Sequence, residues 1–123
     1  MLNKDQLTEK ITKFNAFLQM ECKNEPADLL DRMNKMEILI SQSGEYLADA
    51  KFMQDEMVNG AIIDALKKAL EEKLSASTIN LYVKTAAKEN NYLVNQLERI
   101  NKTATHQHEG LRTRISFIKS TYN

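Results

Sequence analysis

The chain has little of what builds sheets, disulfide frameworks or metal cages. Three glycines and one proline in 123 residues are too few turn-formers for a protein of many tight turns, and tryptophan is absent. A single cysteine, Cys22, allows no internal disulfide and no cysteine cage within one chain, and a reducing compartment is the simplest setting for it. No apolar run approaches the roughly 20 residues needed to span a bilayer, and the opening MLNKDQLTEK lacks the apolar stretch of a secretory signal, so a cytoplasmic location is expected. Neither basic nor acidic charge dominates, because 17 Lys and Arg balance 17 Asp and Glu.

What is present favours helix. Ala, Leu, Lys, Glu, Met and Gln lose little side-chain freedom on entering a helix, and they are abundant. At 123 residues the chain holds one hydrophobic core, so residues 1–123 are read as a single all-α domain.

Leu7, Ile11, Phe14 and Leu18 recur at helical spacing, which predicts a first helix over about residues 4–22. Lys23, Asn24, Glu25 and Pro26 interrupt it, since proline carries no amide hydrogen and pushes its predecessor out of the helical region. A second helix is expected over about residues 27–58, carried by Leu29, Met33, Met36, Ile40 and Leu47, with a weak point at Ser43-Gly44. Phase is lost near Asn59-Gly60. Ile62, Ile63, Leu66, Leu70 and Leu74 lie on a rotated face, which predicts a bend or break and a separate third helix over about residues 61–74.

The hydroxyl cluster Ser75 to Thr78 suits a helix start, with Ser77 as the expected N-cap. From there Ile79, Val83, Ala86, Asn90, Leu93, Leu97, Ile100, Ala104, Gln107, Leu111, Arg114 and Ile118 alternate in steps of four and three. This heptad seam predicts one long helix over about residues 78–120 that passes through Gly110. Such a seam must be covered, and a short turn to the preceding segment makes the two antiparallel. The expected architecture is an elongated, coiled-coil-like antiparallel helical hairpin with an additional N-terminal helix, forming a three- to four-helix bundle. The first helix reaches only about half of the hairpin, so apolar surface is left over, and a homodimer is the expected way to cover it.

Motifs for chemistry are sparse. Gly44, Gly60 and Gly110 are too far apart for a phosphate-cradling loop. His106 and His108, two apart on a helix, point away from each other and do not converge on a metal. Cys22 has no histidine close in sequence, and Asp55-Glu56, Asp64 and Glu71-Glu72 read as a solvated face. The expectation is a protein that is not an enzyme, with no cofactor, no metal and no small-molecule substrate.

Charge is unevenly spread. Residues 1–73 hold 10 basic and 14 acidic side chains, whereas residues 99–123 hold five basic ones against Glu109 alone. Arg99, Lys102, His106, Arg112, Arg114 and Lys119 are therefore candidate contacts to nucleic acid or an acidic partner, with Tyr92 and Phe117 as nearby aromatics. Lysine and arginine are also simply favourable near a helix C-terminus. Tyr46, Phe52, Met53, Met57, Tyr92 and Phe117 are the candidate protein-interface residues. The primary reading is a protein-interaction module that binds a partner or itself; the alternative is a nucleic-acid-binding accessory factor for DNA recombination or replication that uses the basic C-terminal helix.

The closing stretch LERINKTATHQHEGLRTRISFIKSTYN, with the Glu98-Arg99 pair, His106, Leu111-Arg112-Thr113 and the Ser116 to Lys119 ending, resembles the tails of small all-helical proteins carried by prophages and mobile elements. The resemblance covers the C-terminal quarter and implies an accessory role, either in DNA recombination or in binding a host protein such as a defence nuclease. It carries no functional residues over.

Overall fold

The computed structural model describes the backbone of residues 1–122 and the side chains of residues 1–121. The described chain is all-helical, with three helices packed on one another: α1 over Lys4–Gln19, α2 over Pro26–Glu72 and α3 over Ala76–Tyr122.

Helix α1 begins with a reciprocal cap. The Asn3 side chain accepts the Gln6 amide and the Gln6 side chain accepts the Asn3 amide, each at 2.9 Å, so two otherwise free donors are satisfied. Leu7, Ile11 and Phe14 are its buried face. The helix ends three residues before the expected 22, because Met20 turns to extended backbone at the start of the connection to Pro26. Pro26 then opens α2, where its missing amide hydrogen costs nothing.

The expected break at Asn59-Gly60 is absent. Helix α2 runs through both residues to Glu72, so the separate helix over about residues 61–74 does not exist. The seam against α3 keeps its phase through alanines: Ala50, Ala61 and Ala65 are buried. Ile62, Ile63, Leu66 and Leu70 lie on other faces and are exposed. Following the large apolar residues instead of the small ones produced the apparent loss of phase. Gly60 weakens the helix by about 1 kcal/mol relative to alanine, too little to stop one so well paired.

Lys73 closes α2 in the left-handed conformation at φ 53°, its amide donating to the Ala69 carbonyl at 2.9 Å. The cap of α3 is Ser75 rather than Ser77: its hydroxyl accepts the Thr78 amide at 3.2 Å, two residues earlier in the chain. From there α3 passes Gly110 unbroken, as the continuous seam requires. At 1.5 Å per residue each long helix extends roughly 70 Å.

Contacts between α2 and α3 run in opposite directions along the chain. Asn90 donates to the Ala50 carbonyl at 3.4 Å, Asn101 donates to the Ile40 carbonyl at 3.0 Å and to Ser43 at 2.9 Å, and His108 meets Glu37 at 3.1 Å. The pair is an antiparallel hairpin. Helix α1 lies along its middle, parallel to α3, with Lys4 paired to Glu89 at one end and the Leu18 carbonyl accepting from Gln107 at the other.

The core changes character along the hairpin. Where α1 adds a third layer, large side chains fill the interior: Leu7, Leu29, Met36, Leu93, Leu97 and Ile100 among them. Towards the turn only α2 and α3 remain, and Ala61, Ala65 and Ala87 are what they bury. Small side chains let the two helices approach closely, but they hide little apolar area.

Candidate functional site

The two-helix arm beyond the start of α1 presents the clearest unpartnered surface. Ile63 and Leu66 are each 54% exposed and Leu70 is 88% exposed, and with Phe52 and Ile62 they follow one helical stripe on α2. The stripe faces away from the alanine seam, since Ala61 and Ala65 already occupy the side towards α3. Exposed Leu81 lies on α3 of the same arm. The sequence marks Ile62, Ile63, Leu66 and Leu70 as an apolar set on a rotated face, expected to belong to a separate helix. The signal that separates the two faces is the Ala61, Ala65 and Ala69 spacing.

Of the six expected interface residues, Phe52, Met57, Tyr92 and Phe117 are exposed. Tyr46 is not free: its ring stacks on Phe14 with centroids 6.0 Å apart and it packs against the core. Met53 is half-buried against the same core. The exposed four do not form one patch, because Phe52 and Met57 lie on α2 of the arm whereas Tyr92 and Phe117 lie on α3, far from each other along the helix.

The basic candidates are likewise dispersed. Arg99, Lys102 and His106 share the outward face of α3, and Arg99 spends a hydrogen bond on Gln96 at 3.0 Å. Arg112 and Lys119, one heptad apart, lie on a flank of α3, where Arg112 borders a shallow depression with Glu109, Thr113 and Ser116. Arg114 lies on the opposite flank beside a cavity under the α1–α2 connection. Three faces of one helix divide the six side chains, so they make no continuous groove for a phosphate backbone.

His108 differs from a surface histidine. Its side chain is only 18% exposed and its Nε2 meets the Glu37 carboxylate at 3.1 Å, which ties α3 to α2. Cys22 is half-buried in the α1–α2 connection, its Sγ 3.5 Å from the Lys23 carbonyl and 3.6 Å from that of Asp28. Among the described residues no three metal-capable side chains converge, and no helix is long and apolar enough to cross a membrane.

Comparison with known protein families, with curated proteins and with solved structures returned no match to this chain.

Proposed function

We propose that this protein is a helical interaction module without enzymatic activity, whose first partner is a second copy of itself docked along the arm. The observation that carries this reading is the apolar stripe of Ile62, Ile63, Leu66 and Leu70 on a stretch of hairpin that no third helix covers. The elongated chain has surface enough for a second copy. The chain exposes 8586 Å², against roughly 6,700 Å² for a compact monomer of its mass, and a standard interface removes only about 800 Å² per partner.

Charge placement supports an antiparallel, two-fold arrangement. Glu56 and Lys67 lie on the same flank of the stripe about three turns apart, so a symmetric copy running the other way sets each Glu56 opposite a Lys67. Two arms joined this way form a four-helix bundle in which each coiled-coil-like hairpin supplies two members. The resemblance of the C-terminal quarter to prophage-borne proteins adds a setting to the proposal: an accessory role in which the assembled module binds a host protein.

Sedimentation equilibrium tests the reading directly. Wild-type protein is expected at twice the 14.1 kDa chain mass, and Leu66→Lys, at an exposed position, is expected to keep full helical circular dichroism while sedimenting as a monomer. A wild-type monomer at the highest soluble concentration overturns the proposal. Salt-sensitive binding of DNA or RNA that disappears on replacing Arg99 and Lys102 would instead favour the nucleic-acid alternative.

A further inference from the structure

At the other end of the molecule, away from the arm, one charged side chain is out of keeping with its surroundings. Arg32 of α2 is only 8% exposed. A cation that far from water is normally matched by a carboxylate, because the desolvation cost of an unpaired charge is several kcal/mol. Among the described residues no carboxylate lies within ion-pair distance of it. One face of the guanidinium rests on the Phe17 ring, 4.1 Å from its centroid, and Nη2 donates to Gln107 Oε1 at a long 3.4 Å. The guanidinium fork has five N–H donors, and among the described residues the others have no protein acceptor.

Those donors are not sealed in. The only buried side-chain nitrogen or oxygen lacking a partner among the described residues is Asn90 Oδ1, so the unpaired nitrogens of Arg32 open onto space. Arg32 lines two openings: a cleft of about 490 Å³ between the α1–α2 connection and α3, and a smaller one of about 270 Å³ that it shares with Asp28, Asp31 and Lys35. Only the larger one brings in a second arginine. Arg114 and Gln107 line it from α3, Glu21 and Cys22 from the connection, and Gly110 forms part of the wall without a side chain. A methyl group built on Gly110 meets nothing within 4 Å, so no steric clash demands glycine there; its effect is to leave the cavity open.

We infer that this cavity is a binding site for a small oxyanion, a phosphate or carboxylate group, held by Arg32 and Arg114 with Gln107 as a neutral partner. The reasons are chemical. A planar guanidinium presents paired donors that match two oxygens of a phosphate or carboxylate, and stacking on Phe17 fixes the plane of that fork in advance. Within the larger cleft two arginines face the single carboxylate of Glu21, whereas Asp28 and Asp31 border Arg32 on the side of the smaller opening. The volume falls within the range of small-molecule sites. Such a ligand supplies the missing counter-charge to Arg32, and the site departs from the sequence expectation of a protein with no small-molecule partner. It is independent of the arm and of the dimer.

The test is a titration of the full-length protein followed by ¹⁵N NMR on the Arg32 and Arg114 Nε–H signals and the Gly110 amide. Sodium phosphate is one arm, sodium succinate the second, and sodium chloride at matched ionic strength the control. Saturable shifts are expected in the phosphate or the succinate arm, and the responding arm identifies the oxyanion. Arg32→Gln is expected to weaken binding roughly tenfold or more, the equivalent of one lost charge-assisted hydrogen bond. Should Arg32→Gln fail to fold, the exposed Arg114→Gln and the cavity-filling Gly110→Leu serve in its place, and both are expected to weaken binding. Absence of saturable shifts with either anion, equal shifts with chloride, or unchanged affinity in Arg114→Gln and Gly110→Leu overturns the assignment.

Discussion

Three polar side chains between α2 and α3, Ser43 and Asn90 buried and Asn101 half-buried, show by contrast how much a single residue decides here. Asn101 is well used: its amide donates to the Ile40 carbonyl at 3.0 Å and to the Ser43 hydroxyl at 2.9 Å, and Ser43 is itself fully buried. Asn90 is also fully buried, yet its donor reaches the Ala50 carbonyl at only 3.4 Å and its Oδ1 has no partner. Opposite outcomes follow for two substitutions. Asn101→Ala is expected to destabilise the fold by about 2 kcal/mol, since it removes two hydrogen bonds and leaves the buried Ser43 hydroxyl only its own donation to the Ile40 carbonyl at 3.2 Å. Asn90→Leu is expected to be neutral or to stabilise by about 1 kcal/mol, because it removes an amide that folding leaves half-satisfied. Urea denaturation of both variants checks the pair; a large loss of stability in Asn90→Leu would mean that this asparagine holds the register of the hairpin. The position of Asn90 on the seam follows from the four-and-three spacing, whereas Asn101, beside Ile100, is not in that pattern. Which of them finds a partner is not legible either, because the partners are backbone and side-chain atoms of another helix.

At the scale of helices, the ends and the glycines carry the predictions. Lys73 holds a left-handed φ of 53°, a conformation that costs a residue with a Cβ but not glycine. Lys73→Gly is therefore expected to stabilise the chain by about 0.5–1 kcal/mol through the α2 cap. Gly60 is the reverse case: it sits inside α2 with no positive φ, and a methyl group there meets nothing within 4 Å. Gly60→Ala is expected to raise stability by about 1 kcal/mol, the ordinary helix preference. Thermal melts at a fixed protein concentration check both, and a loss of stability in Gly60→Ala would reveal a bend that the helix needs. The same two positions explain what was legible at this scale. Pro26 and the Ser75 to Thr78 cluster mark helix starts through local chemistry, so the sequence reading finds them to within two residues. Asn59-Gly60 has equally strong local chemistry for a break, but pairing with α3 through Ala61 and Ala65 overrides it.

For the molecule as a whole, the predictions concern what the arm and the three-layered part do separately. Leu97, fully buried where α1 covers the hairpin, is expected to lose about 2–5 kcal/mol on truncation to alanine. Leu70, 88% exposed on the arm, is expected to lose almost nothing in the monomer when made alanine, and to weaken self-association instead. Charge exchange tests the proposed geometry of that association. Glu56→Lys alone is expected to weaken the dimer, and combining it with Lys67→Glu is expected to restore it; sedimentation that shows no recovery in the double variant argues against the two-fold antiparallel arrangement.

Helicity, the short link after α2 and the long seam of α3 were determined by the sequence alone, because each depends on residues within a turn or two of one another: capping hydroxyls, a proline, a spacing of three and four. The faces that end up covered were decided only by the tertiary structure. Helix α2 carries two candidate faces past Val58, one of alanines and one of larger apolar residues, and local preference does not choose between them. Close approach of α3 chose the alanines and turned Ile63, Leu66 and Leu70 outward. Assembly of the three helices likewise brought Arg32 and Arg114, remote in sequence, to one cavity, since their meeting depends on how α1 and α2 lie against α3 and on no pattern within either helix.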